Sequence, residues 1–282
     1  MLNLRIYESY NGETSIALLD NSSIEFLEKI ERDGSNYAEK LLKGYDVIFI
    51  PEWVLEEVTD SEFRSKFVEQ MAEKLPICRI EETKYSALID GRELALYDIV
   101  NASVANISAI LAYLRRNVVK DDPMDMDAYE DWIKEMYDNW PMPGETLSNG
   151  RVKKKNAGEI SLTILAEIFS WYYPESKTLT IYSQDADTKA FQNKAEEKLS
   201  KLLKDKIPVA VSFKSNDFLL SQLYREKRIS EDEVKNLRKN SRTVTYTRKR
   251  ADESVVLEKR RLENEQILLE LRTKLWGWLK SI

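Results

Sequence analysis

Short apolar runs and longer amphipathic stretches alternate along most of this chain. Ser15-Ile-Ala-Leu-Leu19 leads into Asp20, Val47-Ile-Phe-Ile50 into Pro51, and Pro76-Ile-Cys-Arg-Ile80, Leu179-Thr-Ile-Tyr182 and Val209 to Phe213 repeat the pattern. Unbroken apolarity over so few residues predicts strands buried on both faces. Helical spacing fills the gaps: Ser23 to Leu42, opened by Asn21-Ser22-Ser23; Glu52 to Leu75, starting after Pro51; Ile160 to Trp171, opened by Asn156-Ala-Gly-Glu159; and Ala190 to Leu203. Alternation of this kind predicts an α/β fold with a parallel sheet of about five strands flanked by helices.

Two stretches break the rhythm. Between about 92 and 145, Leu96, Val100, Val104, Ile107, Leu111, Leu114 and Val118 keep helical spacing, as do Tyr129, Trp132, Ile133, Met136, Tyr137 and Trp140. This is a helical insertion whose aromatic stripe either packs into the core or faces a partner. From Asp217 onward the chain again reads as helical, with a capping-box pattern at Ser230-Glu-Asp-Glu233. The terminal stripe Leu268, Leu271, Leu275, Trp278 and Ile282 needs a covering surface, from this chain, a second copy or an inhibitory protein.

Composition narrows the chemistry. There is no histidine and a single cysteine, Cys78, so a thiolate zinc site, a disulfide framework and an imidazole base are all excluded. Reactions must run on carboxylates, hydroxyls, lysines or metals. A net charge of −6 argues against a protein that simply coats nucleic acid. Locally the balance reverses, with Arg151, Lys153, Lys154 and Lys155 just before Glu159 and a second basic cluster over 235–250. Such clusters hold phosphate backbones when they are not merely solvated. No apolar run approaches bilayer length and no signal peptide is visible, so a cytoplasmic protein without membrane contact is expected by default.

Acids close the apolar runs. Asp20 ends the first, Glu57 follows the second by way of Pro51, and Asp185 and Asp187 follow Leu179 to Ser183, while Glu159 opens a helix behind the basic loop. In a parallel sheet these strand ends share one crevice. Carboxylates gathered there repel one another unless a hard cation such as Mg²⁺ or Mn²⁺ neutralises them, which makes the set a candidate metal site.

Asp20-Asn-Ser22, Pro51-Glu-Trp-Val54-Leu-Glu-Glu57, Gly158-Glu159 and Ser183-Gln-Asp185-Ala-Asp187, followed by Ser215-Asn-Asp217-Phe-Leu-Leu, resemble in order the acidic motifs of the PIN-domain nucleases. The resemblance covers about 14–75 and 150–240. It implies a three-layer PIN-like domain over 1–240, from whose minimal pattern the long helical insertion and a C-terminal helical extension over 241–282 depart. It also implies a metal-dependent endoribonuclease, of the kind found in toxin–antitoxin pairs, phage defence or RNA processing. Asp20, Glu159, Asp185 and Asp187 would then hold the metal, Asp20, Glu57, Glu159 and Asp185 would form the catalytic set, and Ser22, Ser183 and the basic loop would contact the RNA or orient a carboxylate. The alternative is a catalytically silent binding module or regulator acting through its helices.

Overall fold

A computed structural model describes residues 2–31, 35–119, 126–146, 150–238, 241–249, 255–263 and 266. Its centre is a six-stranded sheet made of β1 (Arg5–Ile6), β2 (Ser15–Leu19), β3 (Val47–Pro51), β4 (Ile77–Ile80), β7 (Thr178–Tyr182) and β8 (Val211–Lys214). The spatial order is β1-β4-β3-β2-β7-β8, and every neighbouring pair is parallel. β2, β3 and β7 are buried along nearly their whole length, which is why their sequences run apolar without alternation. The sixth strand, β1, lies at one edge with both residues exposed, and so carries no apolar signature.

Helices flank the sheet. α1 (Asn21–Glu31) and α2 (Tyr37–Leu42) connect β2 to β3; α3 (Glu52–Val58) and α4 (Glu62–Ala72) connect β3 to β4. Each pair was expected as one continuous helix. Ser61 divides the second pair by capping α4, its Oγ accepting the Arg64 N–H at 3.3 Å. Asn36 starts α2 in the left-handed region at φ 54°, a conformation no helix can run through. After β4 come a short 3₁₀ turn (Glu82–Lys84) and α5 (Tyr85–Leu88).

The insertion comprises α6 (Glu93–Ser103), α7 (Ser108–Asn117) and α8 (Tyr129–Asp138), followed by a two-strand ribbon of β5 (Glu145–Thr146) and β6 (Val152–Lys153). Its aromatic stripe belongs to the core: Tyr129, Trp132, Ile133 and Met136 are buried, and Tyr137 stacks on Trp53 of α3 with centroids 4.5 Å apart. α9 (Ala157–Tyr172) then runs through the centre of the molecule, packing on β2, β3 and β7 as well as on α3, α6 and α10 (Ala186–Leu202). α11 (Asn216–Arg225) and α12 (Glu231–Leu237) follow β8, the latter opening with the expected capping box.

Beyond α12 the helical expectation fails. Residues Arg242–Lys249 and Val255–Leu262 form an antiparallel hairpin, β9 and β10, with Val244 and Leu262 buried in the core. Thr243, Thr245 and Thr247 alternating with Val244 and Tyr246 give this stretch a period of two and β-branched residues, both of which favour a strand. The terminal stripe Leu268 to Ile282, on which the oligomer or inhibitor contact was expected, lies outside the described residues. Among the described residues no helix is long and apolar enough to cross a membrane.

Candidate functional site

β2, β3 and β4 follow one another toward one edge, whereas β7 and β8 lie on the other side of β2. The order therefore reverses between β2 and β7, and a crevice opens at the carboxyl ends of such a pair. Asp20 follows β2 and Asp185 follows β7, so both sit at that reversal.

Asp20 is the hub. It is buried, and its carboxylate accepts the Asn21 N–H on Oδ1 at 2.8 Å and the hydroxyls of Ser22 and Ser183 on Oδ2 at 2.6 and 2.8 Å. Those hydroxyls in turn accept the backbone N–H groups of Gln184 and Asp185, each at 3.0 Å. Ser22 and Ser183 thus lace the loop after β2 to the loop after β7 and fix the orientation of Asp20, the carboxylate-orienting role among those expected of them.

Glu57 and Glu159 arrive on facing helices. Gly158 makes this possible: a Cβ there would lie 3.2 Å from Val54 Cγ2 and 3.4 Å from Glu57 Oε1, so the missing side chain lets α9 close on α3. Burial, followed by the negative charges of Asp20 and Glu57, pushes the Glu159 carboxyl up to about 7. Its Oε2 is buried without a hydrogen-bond partner. Glu57 is also raised by burial, against the pull of Lys153, and Asp185 by burial and then by Asp20. Asp185 is the N-cap residue of α10 yet makes no side-chain cap hydrogen bond. Asp187, in the first turn of α10, is exposed, and so is much of the Asp185 side chain.

The basic loop is largely engaged within the protein. Lys153 Nζ pairs with Glu57 Oε2 at 2.8 Å, Arg151 reaches Thr59 Oγ1 at 3.2 Å and Asp60 at 3.7 Å, and Lys154 lies 3.4 Å over the Tyr137 ring and donates to the Tyr137 carbonyl. Lys155 is exposed. In the second basic cluster Arg238 is buried against Asp217, which removes it from any phosphate-binding face.

Two contributors had no separate mark in the sequence. Asn21 donates to Glu57 at 3.3 Å and accepts from Arg64 at 2.7 Å, tying α3 to the start of α1. Glu82, fully buried, accepts the Trp53 N–H at 3.0 Å and the Ser161 hydroxyl at 2.6 Å. It thereby caps α3 and clasps α9, the two helices that carry Glu57 and Glu159. Glu82 stands two residues past the strand Ile77–Ile80, behind Glu81, whereas Asp20 directly follows its strand.

Burial pushes Glu82 and Glu167 each up to about 8. The folded protein holds these protons more tightly than the unfolded chain, so their contribution is complete below about pH 4.5 and is lost as pH rises through 8. Thermal stability of the metal-free protein should therefore fall as pH rises from 5 to 8. Glu82→Gln keeps an acceptor for Trp53 and Ser161 and should flatten that fall, measured as melting temperature against pH. An unchanged slope would remove Glu82 as a source of it.

Among the described residues no three acidic or cysteine side chains form a ready-made metal cage. The set nonetheless fits a hard divalent cation: all donors are carboxylate oxygens, three of the acids are held above their ordinary range, and one buried oxygen of Glu159 has no partner. Compared with known proteins, the chain matches no family model and no curated protein.

Proposed function

We propose that this protein is a metal-dependent endoribonuclease of PIN-like type, hydrolysing phosphodiester bonds at the crevice between β2 and β7. The observation that supports it is the gathering of Asp20, Glu57, Glu159 and Asp185 within one another's electrostatic reach, with Glu159 pushed up to about 7 by its burial and then by Asp20 and Glu57. A purely structural acid is normally paired or exposed; Glu159 Oε2 is neither. Asp20, Glu159 and Asp185 would hold Mg²⁺ or Mn²⁺, with Asp187 completing the shell from the rim. When bound, such an ion neutralises charge on the phosphoryl and leaving oxygens and lowers the pKa of attacking water.

The chain's own residues supply position and proton handling. The two serines keep Asp20 in one rotamer, and Glu57, steadied by Asn21, would accept a proton from attacking water. Lys155 and the surrounding basic residues favour approach of an RNA backbone by charge.

The Lys153–Glu57 ion pair favours the second reading, a silent RNA-binding or regulatory module, because it already neutralises one of the acids. One experiment separates the two. Millimolar Mn²⁺ should raise the melting temperature by several degrees, since a ligand of the folded state alone stabilises by mass action, and should switch on cleavage of a labelled single-stranded RNA. Binding of RNA with no cleavage at any Mn²⁺ concentration would establish the silent module instead.

A further inference from the structure

Lys153 reaches the acids from a ribbon tied to α8 and, through it, to α3. The backbones of β5 and β6 pair through Glu145 and Lys153, and Gly144 leaves room for Val152, whose Cγ1 would lie 2.2 Å from a Cβ at that position. Trp140 Nε1 donates to the Lys155 carbonyl at 3.1 Å, and Lys154 sits on Tyr137. Tyr137 in turn donates to Glu56 and stacks on Trp53, both in α3. Glu56 is the residue before Glu57, so the insertion grips one acid of α3 while its ribbon delivers an ammonium group to the next. That ammonium is half-buried, lies 2.8 Å from Glu57, and is within the fields of Glu159, Asp20 and Asp185 as well. Lysine ammonium is a compact cation on a flexible stem, able to occupy a cation's place and to leave it.

We infer that Lys153 is a tethered counter-ion of the acidic site, held there by the helical insertion, and that its ammonium group competes with the divalent cation for the same carboxylates. The inference rests on the metal-dependent reading above and adds a regulatory element to it: the metal-free protein is kept from self-repulsion by its own lysine, and the cation must drive that lysine out of the shared field of Asp20, Glu159 and Asp185 to bind fully. Metal affinity is thereby set by the insertion as well as by the acids. The displaced ammonium is then free to meet an anionic oxygen of the substrate.

The test is Mn²⁺ titration by calorimetry on wild-type protein, Lys153→Gln and Lys153→Arg, with melting temperatures taken in EDTA and in Mn²⁺, and circular dichroism to verify the fold. Lys153→Gln should bind Mn²⁺ about tenfold more tightly and melt lower than wild type in EDTA, while Lys153→Arg, which keeps the charge, should stay within about threefold of wild type in affinity. Equal or weaker Mn²⁺ binding by Lys153→Gln, or tightening by the Arg variant as large as by the Gln variant, would overturn the counter-ion role and leave the metal site standing. Absence of Mn²⁺ binding in all three proteins would overturn the metal reading and the inference with it.

Discussion

Asp20→Asn should lower Mn²⁺-dependent cleavage of single-stranded RNA by at least about a hundredfold while the melting temperature without metal stays close to that of the wild type. The hydrogen-bond geometry is what allows the fold to survive. An asparagine can turn its oxygen to the Asn21 N–H and its amide nitrogen to the two serine hydroxyls, which rotate to accept, so each contact of the original carboxylate keeps a partner. What disappears is one negative charge from a cluster whose other members are raised by it. Relief of that repulsion offsets whatever the exchange of acceptor for donor costs, and the metal shell loses its most deeply placed carboxylate. Cleavage is followed on a labelled RNA at saturating Mn²⁺ beside a thermal melt in EDTA. A variant that cleaves at the wild-type rate would take Asp20 out of the site.

Asp217→Ala should cost about 3–5 kcal/mol of stability, far more than any change among the rim acids. Asp217 and Arg238 form an ion pair at 3.0 Å in which both side chains are almost wholly excluded from solvent, and Arg238 Nη1 also donates to the Leu262 carbonyl at 2.8 Å. Removing the carboxylate takes a charge partner from a wholly buried guanidinium, and the strand end that carries Leu262 is tied to that same group. Asp217→Ala/Arg238→Met, which removes both charges, should recover most of the loss, because a buried pair is worth little against apolar packing of similar volume. Urea denaturation of the wild type, the single and the double variant reads the cycle. A single variant within 1 kcal/mol of wild type would show that water or another acceptor reaches Arg238.

The parts of the structure legible in the sequence are those where one physical demand dominates. β2, β3 and β7 are enclosed on both faces along most of their length, so their positions are mostly apolar, and an acid or a proline lies within about three residues of each end. β1 is two exposed residues held only by backbone pairing, which leaves nothing to read in side chains. The breaks inside the expected long helices rest on single residues, Asn36 and Ser61, whose capping and left-handed preferences are weaker than the apolar periodicity on either side. In β9 the run of basic residues dominated the reading and concealed a two-residue period that marks a strand. The acids were recognisable one by one from their position after strands. Their partners were not, because Lys153 meets Glu57, and Glu82 meets Ser161, across distances in sequence that only the crossing of α3 and α9 brings to nothing.

The parallel pairing of Ser15–Leu19 with Thr178–Tyr182 has a consequence for how the protein is made. Translation delivers β2, β3 and β4 early, together with Asp20 and Glu57, but the second edge of β2 stays unpaired until the whole insertion, α9 and β7 have left the ribosome. Contacts so far apart along the chain form late and slowly, and an open strand edge invites chaperone binding or mispairing in the meantime. During that interval the nascent polypeptide carries half of an acidic site with neither Glu159 nor Asp185 to complete it. Under the proposed activity, the messenger being read is protected by chain order alone.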